Sequence, residues 1–110
     1  MNKPKGAQPL TPAVFYILLA LLTEKRHGYD IMNQVEADSE GKIVMGPGTL
    51  YGSIDRMMDD GLVEKAPHQE RDSRRIYYQI TPKGRDLFNV EIARLSSAVR
   101  LAAKRVLKNA

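Results

Sequence analysis

The stretch GPGTLYGSIDRMMDDGLVEK, residues 46–65, decides how the rest of the chain is read. Pro47 suits the first position of a helix, because its missing N–H would have no intrahelical partner there and its ring presets φ. Leu50, Ile54, Met57 and Met58 follow at i, i+4, i+7 and i+8, the stripe of a helix packed on a core. Gly61 closes the helix as the residue after its C-cap, with Leu62 placed to fold back on Met57. With that stripe inward, a step of ~100° per residue turns Gly48, Thr49, Gly52, Asp55 and Arg56 outward.

Downstream, residues 63–68 and 74–80 flank a polar turn at 69–73. Ile76, Tyr78 and Ile80 alternate with Arg75, Tyr77 and Gln79, the pattern of a half-buried strand, so the pair reads as a β-hairpin. Thr81-Pro82 is a cap-then-proline start, and the helix it opens runs for about 26 residues to near Lys108. Upstream, Thr11-Pro12 repeats that signal. Val14, Ile17, Leu18 and Leu21 follow at helical spacing, with Phe15, Leu19 and Leu22 as a second stripe, so this helix is buried on more than one side. Residues 25–28 break the pattern. A second helix runs from about Gly28 to Asp38 with Ile31, Met32 and Val35 inward; residues 39–41 turn, and Lys42-Ile43-Val44 reads as a short strand.

The order is helix, helix, short strand, helix, hairpin, long helix. A three-helix unit followed directly by a hairpin is the layout of a winged helix-turn-helix. The expected fold is therefore mainly α with a small β-hairpin. A flexible N-terminal arm (1–9) precedes a winged helix-turn-helix domain (10–81), and a long C-terminal dimerisation helix (82–110) follows.

A chain of 110 residues, 43% hydrophobic and 27% charged, has room for one core. Residues 1–70 hold 7 Lys/Arg against 10 Asp/Glu, a net −3, whereas residues 71–110 hold 10 against 3, a net +7. A basic C-terminal part points to a polyanion partner, although a solvated helix face accounts for part of that charge. The absence of cysteine removes disulfides, thiolate metal sites and a Cys nucleophile, and fits a cytoplasmic protein. The most apolar run, residues 13–22, is too short to span a bilayer at ~20 residues, and no small-residue cleavage site follows it. No membrane association is expected. His27 and His68 stand apart with no ligand pattern. No Ser/His/Asp spacing, phosphate loop or carboxylate pair rises above chance, so no enzyme activity, metal or cofactor is expected.

The third helix is the expected DNA-reading element. Gly48, Thr49, Tyr51, Gly52, Ser53 and Arg56 are its candidate contacts: two glycines let backbone approach a groove wall, and the helix N-terminus favours phosphate. For Tyr51, a purely structural ring stands as an equal alternative. Arg71, Arg74 and Arg75 around the wing turn suit phosphate or minor-groove contact. In the last helix Phe88, Ile92, Leu95, Val99, Ala102 and Val106 are spaced 4, 3, 4, 3 and 4, a coiled-coil seam. About 26 helical residues span about 39 Å, more than the roughly 30 Å of a compact core, so part of the seam needs another surface. A second copy is the simplest supply.

With these motifs in place, the chain resembles the PadR family of bacterial transcription regulators. The carrying segments are Gly28-Tyr29-Asp30-Ile31, Pro47-Gly48-Thr49-Leu50-Tyr51, Asp60-Gly61-Leu62-Val63, and the run from Arg74 through Ile80 to Gly84. The resemblance implies a homodimer on double-stranded DNA at a palindromic operator. It further implies a repressor relieved by a small-molecule effector bound near the dimer axis. Two other classes stand beside it. One is a winged-helix protein–protein adaptor, favoured by the acidic first 70 residues; the other is a small-molecule or metal sensor without direct DNA binding.

Overall fold

A computed structural model describes residues 9–67 and 74–109. The first and last helices begin at the threonine caps the sequence offers. Thr11 accepts the Val14 amide at the head of α1 (Pro12–Leu21), and Thr81 accepts the Gly84 amide at the head of α4 (Pro82–Lys108). Between them lie α2 (Gly28–Asp38) and α3 (Pro47–Asp59). At the end of α3 the chain reverses at Gly61, whose φ of +76° lies in the left-handed region. The Gly61 amide donates to the Met58 carbonyl and the Leu62 amide to the Met57 carbonyl, the paired bonds of a Schellman motif.

The three helices close on Ile17, Leu18, Leu21, Ile31, Val35, Leu50, Ile54 and Met57, all essentially without exposure. The inward stripes expected of α1, α2 and α3 form this core.

The β structure differs from the sequence reading in one respect. Strands β2 (Val63–Ala66) and β3 (Tyr77–Ile80) pair antiparallel, Val63 opposite Ile80 and Ala66 opposite Tyr77, as a hairpin should. The expected turn at 69–73, with Arg71, falls outside the described residues, as does His68 before it. The third strand, however, is β1 (Arg26–His27), which pairs with the other edge of β3, Arg26 opposite Tyr78. Lys42-Ile43-Val44 is not a strand. Buried Ser39 takes the backbone there instead, its hydroxyl accepting the Ile43 amide at 2.9 Å. β3 thus lies between β1 and β2, and β1 covers its second edge at Tyr77 and Tyr78.

Helix α4 starts against the end of α3: the Thr81 hydroxyl donates to the Gly61 carbonyl, and Lys83 Nζ to the Asp60 carbonyl. Its buried residues are Gly84, Phe88 and Glu91, and half-buried Leu87 also packs against the core. Phe88, expected in the intersubunit seam, is 3% exposed and stacks on Phe15 with ring centroids 5.1 Å apart. That is a correction: the chain's own core consumes the first seam position. Beyond Glu91 the helix leaves the core. The radius of gyration, 16.2 Å, exceeds the roughly 13 Å of a compact chain this long, and the long axis reaches 58 Å.

Candidate nucleic-acid interface

The outward side of α3 is built from small residues. Gly46, Pro47, Gly48 and Thr49 are exposed, and a Cβ placed on Gly46 or Gly48 would meet nothing within 4 Å. A Cβ on Gly52 would make only ordinary contact with Arg56 Nη1, at 3.6 Å. Among the described residues, no packing reason therefore requires glycine at positions 48 and 52. Asp55 and Asp59 share the exposed side farther along.

Two concavities flank this face and divide the candidate residues between them. On one side, His27, Gly28, Tyr29, Tyr51, Arg74, Arg75, Ile76 and Tyr78 line a pocket of about 460 Å³ where α2 begins. Strand pairing assembles it. β1 holds His27 beside Tyr77, ring centroids 5.4 Å apart, and brings its Nε2 to 3.4 Å from Arg75 Nη1. His27 also caps α2, its Nδ1 accepting the Asp30 amide at 3.2 Å. Arg26 is fixed by the Ala20 carbonyl at 2.7 Å and by Asp30 at 3.0 Å, which anchors this corner to α1 and α2.

Gly28 decides where Tyr51 goes. A Cβ at position 28 would overlap the Tyr51 hydroxyl and lie 2.6 Å from its ring carbon Cζ. The ring thus rests on bare α2 backbone, while 41% of the residue stays exposed. Tyr51 is both structural and available for contact. Beneath it, Tyr78 is 5% exposed, and burial, then the neighbouring Tyr51 and Asp55, push its phenol above the ordinary range.

On the other side, Ser53 and Arg56 line a groove with Pro9, Leu10, Thr11, Val14, Met57, Asp60, Leu62, Lys83 and Leu87, also about 460 Å³. Ser53, grouped from sequence with the DNA contacts, is 5% exposed and accepts from Arg56 Nη2 at 3.3 Å. It is a packing and positioning residue rather than part of the open face. Arg56 remains exposed on that flank. Of the three wing arginines, Arg74 and Arg75 are exposed beside Tyr51, and Arg71 lies outside the described residues.

Sequence reasoning missed His27 as a cap and Tyr29, 67% exposed, as part of this surface. The available signal was the helix-opening string at Gly28, which marked the start of α2 without revealing what packs on it. Among the described residues no group of His, Cys, Asp and Glu is arranged to hold a metal ion. Among the same residues no helix is long and apolar enough to cross a membrane.

The profile of the "Transcriptional regulator PadR-like family" matches residues 17–90, from the core of α1 into α4. The chain belongs to the PadR-like family. Solved structures agree in fold. A PadR family transcription regulator from Clostridium difficile is 19% identical, covers 87% of this chain and 99% of its own, and superposes with a TM-score of 0.71. A transcriptional regulator from Clostridium thermocellum is 23% identical over 84% and 87% of the two chains, with a TM-score of 0.68. The hsRosR-S4 structure, solved as a complex, is 26% identical over 94% and 91%, with a TM-score of 0.70. An uncharacterized 37.1 kDa protein in transposon TN4556 of Streptomyces fradiae is 37% identical over 90 residues. Those residues are 79% of this chain and 25% of that protein, so the chain spans about a quarter of that relative's length.

Proposed function

We propose that this PadR-like regulator binds duplex DNA as a homodimer, with α3 in the major groove and the wing on the backbone. One observation carries the reading. The open, small-residue face of α3 runs directly into the pocket holding Tyr51, Arg74 and Arg75, so a groove-reading surface and phosphate-binding cations share one side of the molecule. Gly48, Thr49 and Gly52 would lie nearest the bases, and Tyr51, Arg56, Arg74 and Arg75 nearest the phosphates.

The division into a DNA-binding unit (10–81) and a dimerisation helix (82–110) follows the same reading. Ile92, Leu95, Val99, Ala102 and Val106 continue, beyond Glu91, the side of α4 that Phe88 uses against its own core; all five are exposed, Val99 by 67%. A second copy would bury them. Repression and its relief by an effector near the dimer axis rest on the family resemblance, and the shallow hollow of Ile92, Leu95, Ser96, Val99 and Arg100 is where such a ligand would be sought. The adaptor reading is favoured by Asp55 and Asp59 on the exposed side of α3.

Selection of bound sequences from a random duplex pool tests the proposal. Enrichment of a palindrome is expected. Recovery of no sequence above background, even at low salt, would leave the adaptor reading in its place.

A further inference from the structure

From Ile92 to Asn109 the chain carries Arg94, Arg100, Lys104, Arg105 and Lys108 and not one Asp or Glu. This is the segment of α4 that leaves the core, and all five cations are exposed. Arg94 is occupied by Glu91, at 2.8 Å. Among the described residues, no ion pair involves the other four; Arg100 has only the Ser97 hydroxyl, at 3.3 Å. At ~100° per residue Lys108 lies opposite Val99, Lys104 and Arg105 lie within about 60° of Lys108, and Arg100 stands at the edge of the same side. The free part of α4 is therefore two-faced, with an apolar seam on one side and a cationic back on the other.

We propose that this cationic back is a second surface for the phosphate backbone of duplex DNA, separate from the α3 face. It goes beyond the groove-reading role and does not depend on it. Two blander accounts fall short. Cations in the last turn of a helix are favoured by its dipole, but that covers Arg105 and Lys108, leaving Arg100 and Lys104. Solubility is served by mixed charge, whereas a single-sign face attracts polyanions and repels a second copy of itself.

The chemistry of the back selects the class of polyanion. No aromatic residue follows Phe88, so bases have nothing to stack on, and a single strand loses its usual platform. A membrane-surface helix needs a free apolar face carrying bulky anchors. Here the apolar face is the seam, and the back and its edge offer only the scattered Val90, Leu101 and Leu107, with no aromatic anchor. Regularly spaced duplex phosphates remain. Position agrees with this: α4 begins beside the end of α3, and at 1.5 Å per residue Arg100 to Lys108 lie about 28–40 Å along its axis from Thr81. That places the surface beyond the α3 contact, on flanking DNA or on a second duplex.

The test replaces the four cations together (Arg100→Gln, Lys104→Gln, Arg105→Gln and Lys108→Gln) in the full chain, and repeats this in a Gly52→Glu background. Wild type and variant should both be dimers with similar melting temperatures. On a long duplex the slope of log K against log salt should flatten in the variant by ~0.9 per lost phosphate contact, so by about 2–4. The protein should also tether a fluorescent duplex to a bead-bound one, and the variant should not. Gly52→Glu should retain weak, salt-sensitive DNA binding that disappears when the four cations are removed as well. Equal slopes and equal tethering would overturn the proposal. So would cation-dependent binding to phosphatidylserine vesicles with DNA slopes unchanged. Normal DNA binding by Gly52→Glu would count against α3 as the reading helix and leave the α4 comparison intact.

Discussion

Gly52 stands where α3 has space for a side chain and does not use it. Gly52→Glu would set a carboxylate against the groove, and like-charge repulsion should cost several kcal/mol of DNA binding. The fold should tolerate it, because glycine inside a helix is already up to ~1 kcal/mol poorer than glutamate, and Arg56 one turn on offers an i, i+4 partner. Gel shift and thermal melting together decide the matter: a well-folded dimer with little DNA affinity is expected. Gly28 acts in the opposite way, since here the missing side chain is used. Gly28→Ala would force the Tyr51 ring off α2, lowering DNA affinity with little change in melting temperature, because the tip of one side chain is what must move. The cycle with Tyr51→Ala checks this coupling; once the ring is gone, Gly28→Ala should have no further effect on binding.

At the scale of elements, Glu91 joins the head of α1 to α4. Its carboxylate, 6% exposed, accepts the Leu10 amide at 3.3 Å and takes Arg94 through two bonds at 2.9 and 2.8 Å. The Arg94 hydrogen bonds, helped by its charge and the Leu10 amide, outweigh burial and hold the carboxyl below its usual range. A depressed folded pKa stabilises the protein above the unfolded value of about 4.3, and that contribution is lost as pH falls through the folded value. Glu91→Gln should therefore cost about 1–2 kcal/mol at neutral pH. The gap to wild type should narrow as the medium is acidified below the ordinary carboxylate range. Melting curves across that range test it; a gap independent of pH would mean that shape rather than charge holds the joint.

On the scale of the whole molecule, the proposed dimer would cover what α4 leaves open. Its exposed seam continues the side that Phe88 buries, and the molecule is too extended for one copy to cover it. Leu95→Asp would place a charge in the middle of that seam, costing several kcal/mol of association if unpaired. Sedimentation should show a dimer for wild type at micromolar concentration and a folded monomer for the variant. A fully dimeric Leu95→Asp protein would assign the interface elsewhere.

Caps and periodicity are written within a few residues of where they act, and these the sequence determined by itself. Thr11 and Thr81 as caps, the reversal at Gly61, the stripe of α3 and the length of α4 all follow from neighbours at most one or two turns away. What only the tertiary structure decided involves residues distant in the chain. Arg26–His27 becomes a strand because Tyr77 and Tyr78, some fifty positions later, present a free edge. Phe88 leaves the seam because Phe15 is there to stack on, and Ser53 is closed in beside the head of α1. Gly28 and Tyr51 could be quoted from sequence as motifs, but their contact could not. A steric fit between two helices exists only once both are placed, and the candidate interface is made of such fits.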